Sequence, residues 1–399
     1  MIYVMKANHK PLILLAVTAP ISMMFFKGQI THLQKAGFQV AVLCSPGWAP
    51  TEEVEYFPVA MERQIAVFKD FVSLIRIIKL LRTVKPDIVN AGTPKAGLLV
   101  GMAAFINHVP VRIYTCHGLR LETLTGLKRA ILLATEYIAA FCAHKVVCVS
   151  DSLKRNFIKF RLAPSQKVAV IGAGSCNGIN MERFVNSNAK TGRREKLQAE
   201  LGIPPAATII GFTGRFTKDK GIYELIAAYE QLKDNHAQLY LLLVGDYDAD
   251  DPVAAELQHR IQQDPAIVVT GFVADAAPYY SLMEVLLLPT YREGLPTVVL
   301  EAAAAGKPVV AFAATGCVDA VVDGVTGLLV PVGDWQALAN AAAKVLADRQ
   351  QALLMGQQGQ ARIAAEFRQE LVWENTAIFY QRTWQDKTGQ RPTAERTVS

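Results

Sequence analysis

Two stretches of this 399-residue chain carry side chains able to hold a phosphorylated ligand. The first is Tyr291-Arg292-Glu293-Gly294-Leu295-Pro296-Thr297-Val298-Val299-Leu300-Glu301. It follows the apolar run Val285–Leu288 and opens a helix toward Ala305. Gly294 supplies backbone freedom, and Pro296 suits a first helical turn, where its missing N–H costs nothing. The next amides, near Thr297 and Val298, leave the helix N-terminus pointing outward, where a phosphate is stabilised. Glu293 precedes the helix and Glu301 lies about two turns further on. Such carboxylates accept hydrogen bonds from ribose or sugar hydroxyls. The second stretch is Gly211-Phe212-Thr213-Gly214-Arg215-Phe216-Thr217-Lys218-Asp219-Lys220-Gly221, again between a strand and a helix, Ile222–Leu232. Arg215 offers a planar fork to a diphosphate and Lys220 a point charge. Taken singly, the first stretch also fits a generic helix start and the second a solvated basic turn. A third candidate, His117, follows the apolar run Val111–Thr115.

Other signals are weaker. Asp246-Tyr247-Asp248, with Asp250 and Asp251 nearby, invites a metal reading, but Arg215 and Lys220 already provide the charge that a metal would bring. An acidic loop after a strand is the expectation, with no metal and no cofactor. Gly172-Ala173-Gly174-Ser175-Cys176-Asn177-Gly178 imitates a dinucleotide loop with its third glycine one position late. The six cysteines form no C-x-x-C pair and read as buried thiols in a reducing compartment.

The elements that must position these residues alternate. Apolar runs Leu12–Val17, Gln39–Cys44, Asp87–Asn90, Val111–Thr115 and Lys145–Val149 are separated by helical patterns at Phe26–Ala36, Asp70–Val84, Ala96–Ile106 and Leu127–Ala143. This rhythm predicts a doubly wound parallel sheet. After a polar interval, Ser187–Arg194, it restarts with Thr208–Thr213, Leu239–Val244, Ile267–Thr270, Val285–Leu288, Val309–Phe312 and Leu328–Val330. The fold class is therefore α/β, with two Rossmann-like domains: residues 1–188, joined by a last helix within 368–390, and residues 189–367. Arg368–Asp386 reads as that helix, and the polar tail from Lys387 as frayed. In such sheets ligands bind beyond the carboxyl ends of the strands.

Taken together, the two loops resemble the family-4 retaining glycosyltransferases of the GT-B fold. Glu293 and Glu301 match that family's E-x7-E motif in its E-G-[FL]-P context. Gly214, Arg215, Lys220 and Gly221 match its G-R-x-x-x-x-K-G loop. Val244-Gly245-Asp246, Gly271-Phe272-Val273, Ala305–Val310 and Asp323–Val330 extend the likeness over most of the second half. In the first half it is looser: Lys85–Val89, His117-Gly118 and Asn177–Asn180.

The resemblance implies two domains facing each other across a cleft, with the last helix crossing back to the first. It implies that Arg215 and Lys220 hold the donor diphosphate and stabilise it as it leaves. Glu301 would take the ribose. Glu293, with Gly294, Leu295, Pro296 and Thr297, would hold the donor sugar and phosphate. Gly214 and Gly245 would line that site, and Phe272 and Val273 would meet the base. On the acceptor side it places Ser22, His117 and Gly118, and His117 would face the sugar or the acceptor hydroxyl. The first strand-helix loop, Thr18–Gly28, lacks the Gly-Gly pair of many members. That loop and Thr115–Arg120 are similar to members that build bacterial surface polysaccharides on lipid carriers.

The expected reaction moves a hexose or N-acetylhexosamine from a UDP-linked donor to a polyprenyl-diphosphate-linked saccharide, with retention, without a protein nucleophile and without a metal. A two-domain nucleotide-sugar binding protein without chemistry, or a GT-B epimerase or phosphorylase, stays open at this point.

Composition narrows the partners. Residues that are 51% hydrophobic and 19% charged exclude general disorder. The net charge of +6 hides an asymmetry: +13 up to Lys190 and −7 from Thr191. A basic first half suits an anionic membrane surface or a phosphorylated substrate. The helix around Asp70–Lys85 interleaves Arg76, Lys79, Arg82 and Lys85 with apolar residues, as a membrane-facing or a merely packed surface helix would. No nucleic-acid module is visible. The apolar stretches Leu12–Phe26, Gly97–Ile106 and Ala130–Ala143 are too short or too interrupted to cross a bilayer. Leu12–Val17 reads as a buried strand rather than a signal peptide. The expected location is cytoplasmic, peripheral on the inner face of the membrane.

Overall fold

A computed structural model describes residues 10–62, 64, 66–184, 192–236, 238–249 and 251–389. The chain divides into two compact units. One runs to Gly178 and resumes at Glu370; the other is Ile179–Gln369.

The first unit is a seven-stranded parallel sheet. Its strands are β1 Leu12–Ala16, β2 Gln39–Cys44, β3 Glu55–Pro58, β4 Ile88–Gly92, β5 Val111–Cys116, β6 Lys145–Cys148 and β7 Val168–Ala169, in the order β3-β2-β1-β4-β5-β6-β7. Both faces of the sheet are covered, so the strands read as continuous apolar runs. Alternate residues feed separate cores. Ile13, Leu15, Val40 and Val42 face one side, with Tyr380 and Trp384 of the last helix. Leu14, Ala16, Ala41 and Leu43 face the other, with Ile77, Leu81 and Val100. The helices Val67–Val84, Pro94–Ile106 and Gly126–Cys142 pack side by side in sequence.

The second unit is a six-stranded parallel sheet of β8 Thr208–Thr213, β9 Leu239–Val244, β10 Ile267–Val269, β11 Val285–Leu288, β12 Val309–Phe312 and β13 Gly327–Val330. The order is β10-β9-β8-β11-β12-β13. In both sheets the order reverses beside the first strand, so β1/β4 and β8/β11 are the switch points. The chain leaves and re-enters this unit at one place: Ile179 N–H donates to Phe367 O at 2.8 Å, and Gln369 N–H to Ile179 O at 3.1 Å.

Several expectations need correction. β3 and β7 are short edge strands that no apolar run announces. The helix expected from Phe26 begins at Gln29, and a 3-10 helix, Pro20–Phe26, precedes it. The last helix is Gln369–Thr388, so Lys387 lies in its final turn and not in a tail. Of the expected linker, Ser187–Thr191 lies outside the described residues, and Arg193 and Arg194 already begin a helix, Arg193–Glu200. The expected boundary at Asn188 also lies outside them. Among the described residues no helix is long and apolar enough to cross a membrane.

Candidate active site

The loops carrying the two motifs follow β8 and β11, the strands that flank the switch point of the second sheet. A crevice beyond the carboxyl ends is the usual ligand site there. The loop after β8 ends at Gly221, with φ +74°, where a Cβ would lie 1.9 Å from Pro289 O. Only glycine permits that approach. It brings the two loops together. Lys220 Nζ reaches Glu293 Oε1 at 2.5 Å, with both side chains largely buried. Arg292 forms an ion pair with Asp219, and Tyr291 N–H donates to Asp219 O at 2.9 Å. Burial opposes the charge on Asp219. The Thr217 hydroxyl and the cations Arg292, Lys220 and Arg215 outweigh it and hold its carboxyl below the usual range.

Helix Thr297–Ala304 begins behind Pro296. Pro296 is its extended N-cap rather than its first helical residue. Val299 N–H donates back to Pro296 O at 3.0 Å, so the amides of Thr297 and Val298 come before the first helical bond. Gly294 is buried, Leu295 half-buried and Thr297 exposed. Glu301 faces inward and accepts a 2.8 Å hydrogen bond from the fully buried Tyr280 hydroxyl. Burial pushes the Glu301 carboxyl up, with Tyr280 and Arg183 opposing. Arg183 itself pairs with Asp275 at 2.6 Å.

On the other flank, the loops after β8 and β9 stay paired beyond their strands. Gly214 N–H donates to Val244 O at 3.0 Å and Phe216 N–H to Asp246 O at 2.9 Å. Gly245 has φ +144°, and a Cβ there would lie 1.9 Å from Gly214 O. Gly245 also bridges Gly271. Next to Gly271 stand the exposed Phe272 and the half-buried Val273. The Arg215 guanidinium, more than half exposed, forms an ion pair with the largely buried Asp248. Among the described residues no three His, Cys, Asp or Glu side chains gather as a metal site.

The first unit holds the remaining candidates around its own switch point. Beyond β1 and β4, the hydroxyls of Thr18 and Thr93 meet at 2.8 Å. The loop without a Gly-Gly pair is the 3-10 helix Pro20–Phe26, which carries Ser22. It is tied down at its far end. Asn177 Nδ2 donates to Lys27 O at 3.0 Å, Asn177 Oδ1 accepts from Trp373 Nε1 at 2.7 Å, and the Trp373 ring packs on Gly28. His117 follows β5, with Gly118 beside it in a positive-φ conformation. The imidazole stacks on Phe25, with ring centroids 4.5 Å apart. Burial lowers its pKa to about 4, so the ring is neutral at physiological pH.

The structure thus brings Lys220 to Glu293 and Gly214 to Gly245 within the second unit, where Arg215 is paired with Asp248 and Glu301 with Tyr280, and in the first unit it stacks His117, next to Gly118, on the 3-10 helix that carries Ser22. Five partner residues were given no role from the sequence. Tyr280, Phe25 and the Asp219–Arg292 brace leave no motif of their own. Asp248 was visible, but only as part of an acidic loop.

Residues 207–348 match the family model described as glycosyl transferases group 1, and residues 27–183 that described as glycosyltransferase family 4. The chain is 37% identical over 379 residues to a capsular polysaccharide biosynthesis glycosyltransferase of Staphylococcus aureus, covering 94% of this chain and 97% of that protein. It is 25% identical over 320 residues to the UDP-Gal:alpha-D-GlcNAc-diphosphoundecaprenol alpha-1,3-galactosyltransferase of Escherichia coli, covering 78% and 81%. Among solved structures, Anabaena HepE in complex with UDP superposes with a TM-score of 0.73 at 21% identity, covering 94% of this chain and all of that one. WaaG, a glycosyltransferase involved in lipopolysaccharide biosynthesis, does so at 0.72 and 15%, covering 95% and 100%. At these identities the solved structures speak to the fold.

Proposed function

The chain belongs to the family-4 glycosyltransferases, and from that premise we propose that it moves a hexose or N-acetylhexosamine from a UDP-sugar to a polyprenyl-diphosphate-linked saccharide in capsular or related surface polysaccharide synthesis. The observation that carries this reading is the meeting of Lys220 and Glu293, from two loops, at the switch point of the second sheet, with Arg215 alongside. That geometry suits a diphosphate held by two cations and the Thr297 and Val298 amides, with a sugar hydroxyl on Glu293 and the ribose on Glu301. The name of the Escherichia coli relative supports the acceptor class, and that of the Staphylococcus aureus relative the capsular setting.

In this reading the anomeric configuration is retained. The diphosphate departs, its growing charge stabilised by Arg215, Lys220 and the helix amides. It takes the acceptor hydroxyl's proton on the same face, so no protein nucleophile and no metal is required. His117, neutral, hydrogen-bonds the sugar or the acceptor hydroxyl, and Ser22 and Gly118 line the acceptor side. The work falls to the first unit, with the last helix, for the acceptor, and to the second unit for the donor.

We place the enzyme on an anionic membrane surface. Val67, Phe68 and Phe71 on helix Val67–Val84 are exposed, at 78%, 80% and 59%. Arg76, Lys79 and Arg82 stand exposed on the same helix. Leu127 is exposed beside Lys128 on the helix Gly126–Cys142. Apolar tips among lysines and arginines suit a lipid interface.

A thermal-shift panel of UDP, GDP and their sugars tests the donor, followed by transfer from the stabilising donor to a lipid-diphosphate acceptor. Stabilisation by no nucleotide, or donor consumption that ignores the acceptor, refutes the transferase. Flotation with neutral and anionic vesicles tests the membrane. Equal binding to both refutes the electrostatic part.

A further inference from the structure

Arg215 and Lys220, the two cations assigned to the diphosphate, are both occupied by carboxylates. Lys220 has Glu293, which has a place in the donor site. Arg215 has Asp248, which so far has none. We propose that Asp248 is a counter-ion that competes with the diphosphate for Arg215, weakening the grip on the nucleotide and so easing release of the spent nucleoside diphosphate. This rests on the donor-site reading above and names how that site is regulated.

The geometry favours competition over chance contact. The carboxylate is the fixed partner. Asp248 is largely buried, whereas the Arg215 side chain is 57% exposed and has room to swing. The loop that carries Asp248 is fastened to the phosphate loop. Phe216 bridges Tyr247 in parallel, and their rings meet edge to face at 5.1 Å. Asp251 N–H donates to Asp248 O at 3.2 Å, and Ala254 N–H donates to the Tyr223 hydroxyl at 3.0 Å, closing the loop onto the helix after Gly221. A diphosphate approaching Arg215 therefore meets a guanidinium already shared with a held carboxylate. The two anions contend for one cation, and like charges brought together repel. A half-exposed ion pair of this kind is worth a modest amount, so its removal should tighten diphosphate binding by about two- to fivefold.

Binding of UDP, GDP, inorganic pyrophosphate and uridine is measured by calorimetry on the full chain and on D248N, D248E and D251N. The expected result is that D248N binds the favoured nucleoside diphosphate and pyrophosphate more tightly, while uridine is unchanged. D248E, which restores the charge, returns toward the wild type. D251N, which removes a charge nearby without touching Arg215, stays at the wild-type value. In turnover, D248N lowers the inhibition constant of the product nucleotide. Unchanged or weaker diphosphate binding by D248N overturns the proposal, as does an equal tightening in D251N, which would reflect only the loop's general acidity. A matching change for uridine also overturns it, because the effect then has nothing to do with phosphate. If the wild type binds no nucleoside diphosphate at all, the donor-site reading fails and this inference with it. A wild type that binds while D248N leaves affinity unchanged sinks this inference alone.

Discussion

Replacing Lys220 by alanine removes one of the two cations that we propose face the leaving diphosphate. Its ammonium sits 2.5 Å from Glu293, with 22% of the lysine side chain and 14% of the glutamate exposed. A unit charge about 4 Å from another, at an effective dielectric near 20, is worth about 4 kcal/mol. Only the charge that develops as the glycosidic bond breaks counts toward rate, so the loss in kcat is expected at about 10²–10³-fold. A confounder is built into the site. K220A strands the Glu293 carboxylate, largely buried and without its cation, which costs stability of about 1–2 kcal/mol. The double variant K220A/E293Q isolates the stability effect, because its melting temperature recovers. Its kcat, lower than that of E293Q alone, isolates the loss due to Lys220. The assay is release of nucleoside diphosphate at saturating acceptor, alongside thermal melting of each variant. A K220A enzyme within about threefold of wild-type kcat, with melting unchanged, would refute the assignment of Lys220 to the transition state.

Further outcomes follow from single contacts. Glu301→Gln keeps an acceptor for the Tyr280 hydroxyl but gives up the carboxylate, so UDP should bind about tenfold more weakly. Pyrophosphate, which has no ribose, should bind as before, and an equal loss for both would move Glu301 away from the ribose. Gly221→Ala places a Cβ 1.9 Å from Pro289 O at φ +74°. It should cost at least about 2 kcal/mol in denaturant unfolding, and a wild-type midpoint would show that the two loops are not locked there. Glu136, buried and bonded to the Tyr114 hydroxyl at 2.7 Å, has its carboxyl pushed by burial from 4.5 to about 7. The folded chain holds that proton more tightly than the unfolded chain does. Its contribution is therefore full below pH 4.5 and fades as the pH rises through 7, by about 3 kcal/mol in all. Glu136→Gln should flatten the fall in melting temperature between pH 5 and pH 8, and parallel curves for the two proteins would contradict this.

The sheets were legible because of how they are buried. A strand covered on both faces must be apolar throughout, so Leu239–Val244 and Val285–Leu288 announce themselves without alternation. β3 fails that test. Glu55–Pro58 is half-exposed at the sheet edge and borrows its structure from pairing with β2. The site was readable where a residue type follows a strand, as with Arg215, Lys220 and Glu293. It was unreadable where a contact depends on how elements from distant sequence pack. Tyr280 meets Glu301 only because a single-turn helix, Ala277–Tyr280, lies against helix Thr297–Ala304. Asp248 meets Arg215 because the pairing of β8 with β9 runs on past both strands. No spacing rule encodes either register.

The charge asymmetry gains a different meaning from these contacts. A half that sums to −7 is a poor place to attract a diphosphate by its overall field. Attraction there has to be local, and the local cations Arg215, Lys220 and Arg292 are each already engaged with a carboxylate. Such a site favours a ligand that can replace those carboxylates with several contacts at once, and it lets go when some of those contacts are lost. The +13 half also holds a largely buried pair, Lys95 with Asp70 at 2.7 Å, between two of its helices. Some of its cations serve the fold: Arg112 Nε donates to Cys142 O at 2.7 Å and Lys167 Nζ to Phe141 O at 3.1 Å, both at the end of one helix. Others, Arg76, Lys79, Arg82 and Lys128, stand exposed on the helices that expose Phe68, Phe71 and Leu127. A nucleic acid would use the cations and leave those apolar tips in water. An anionic lipid surface uses both. The same asymmetry therefore supports the proposal of two anion-binding modes in one chain: a contested, reversible one for a nucleotide and a diffuse, partly apolar one for an anionic membrane.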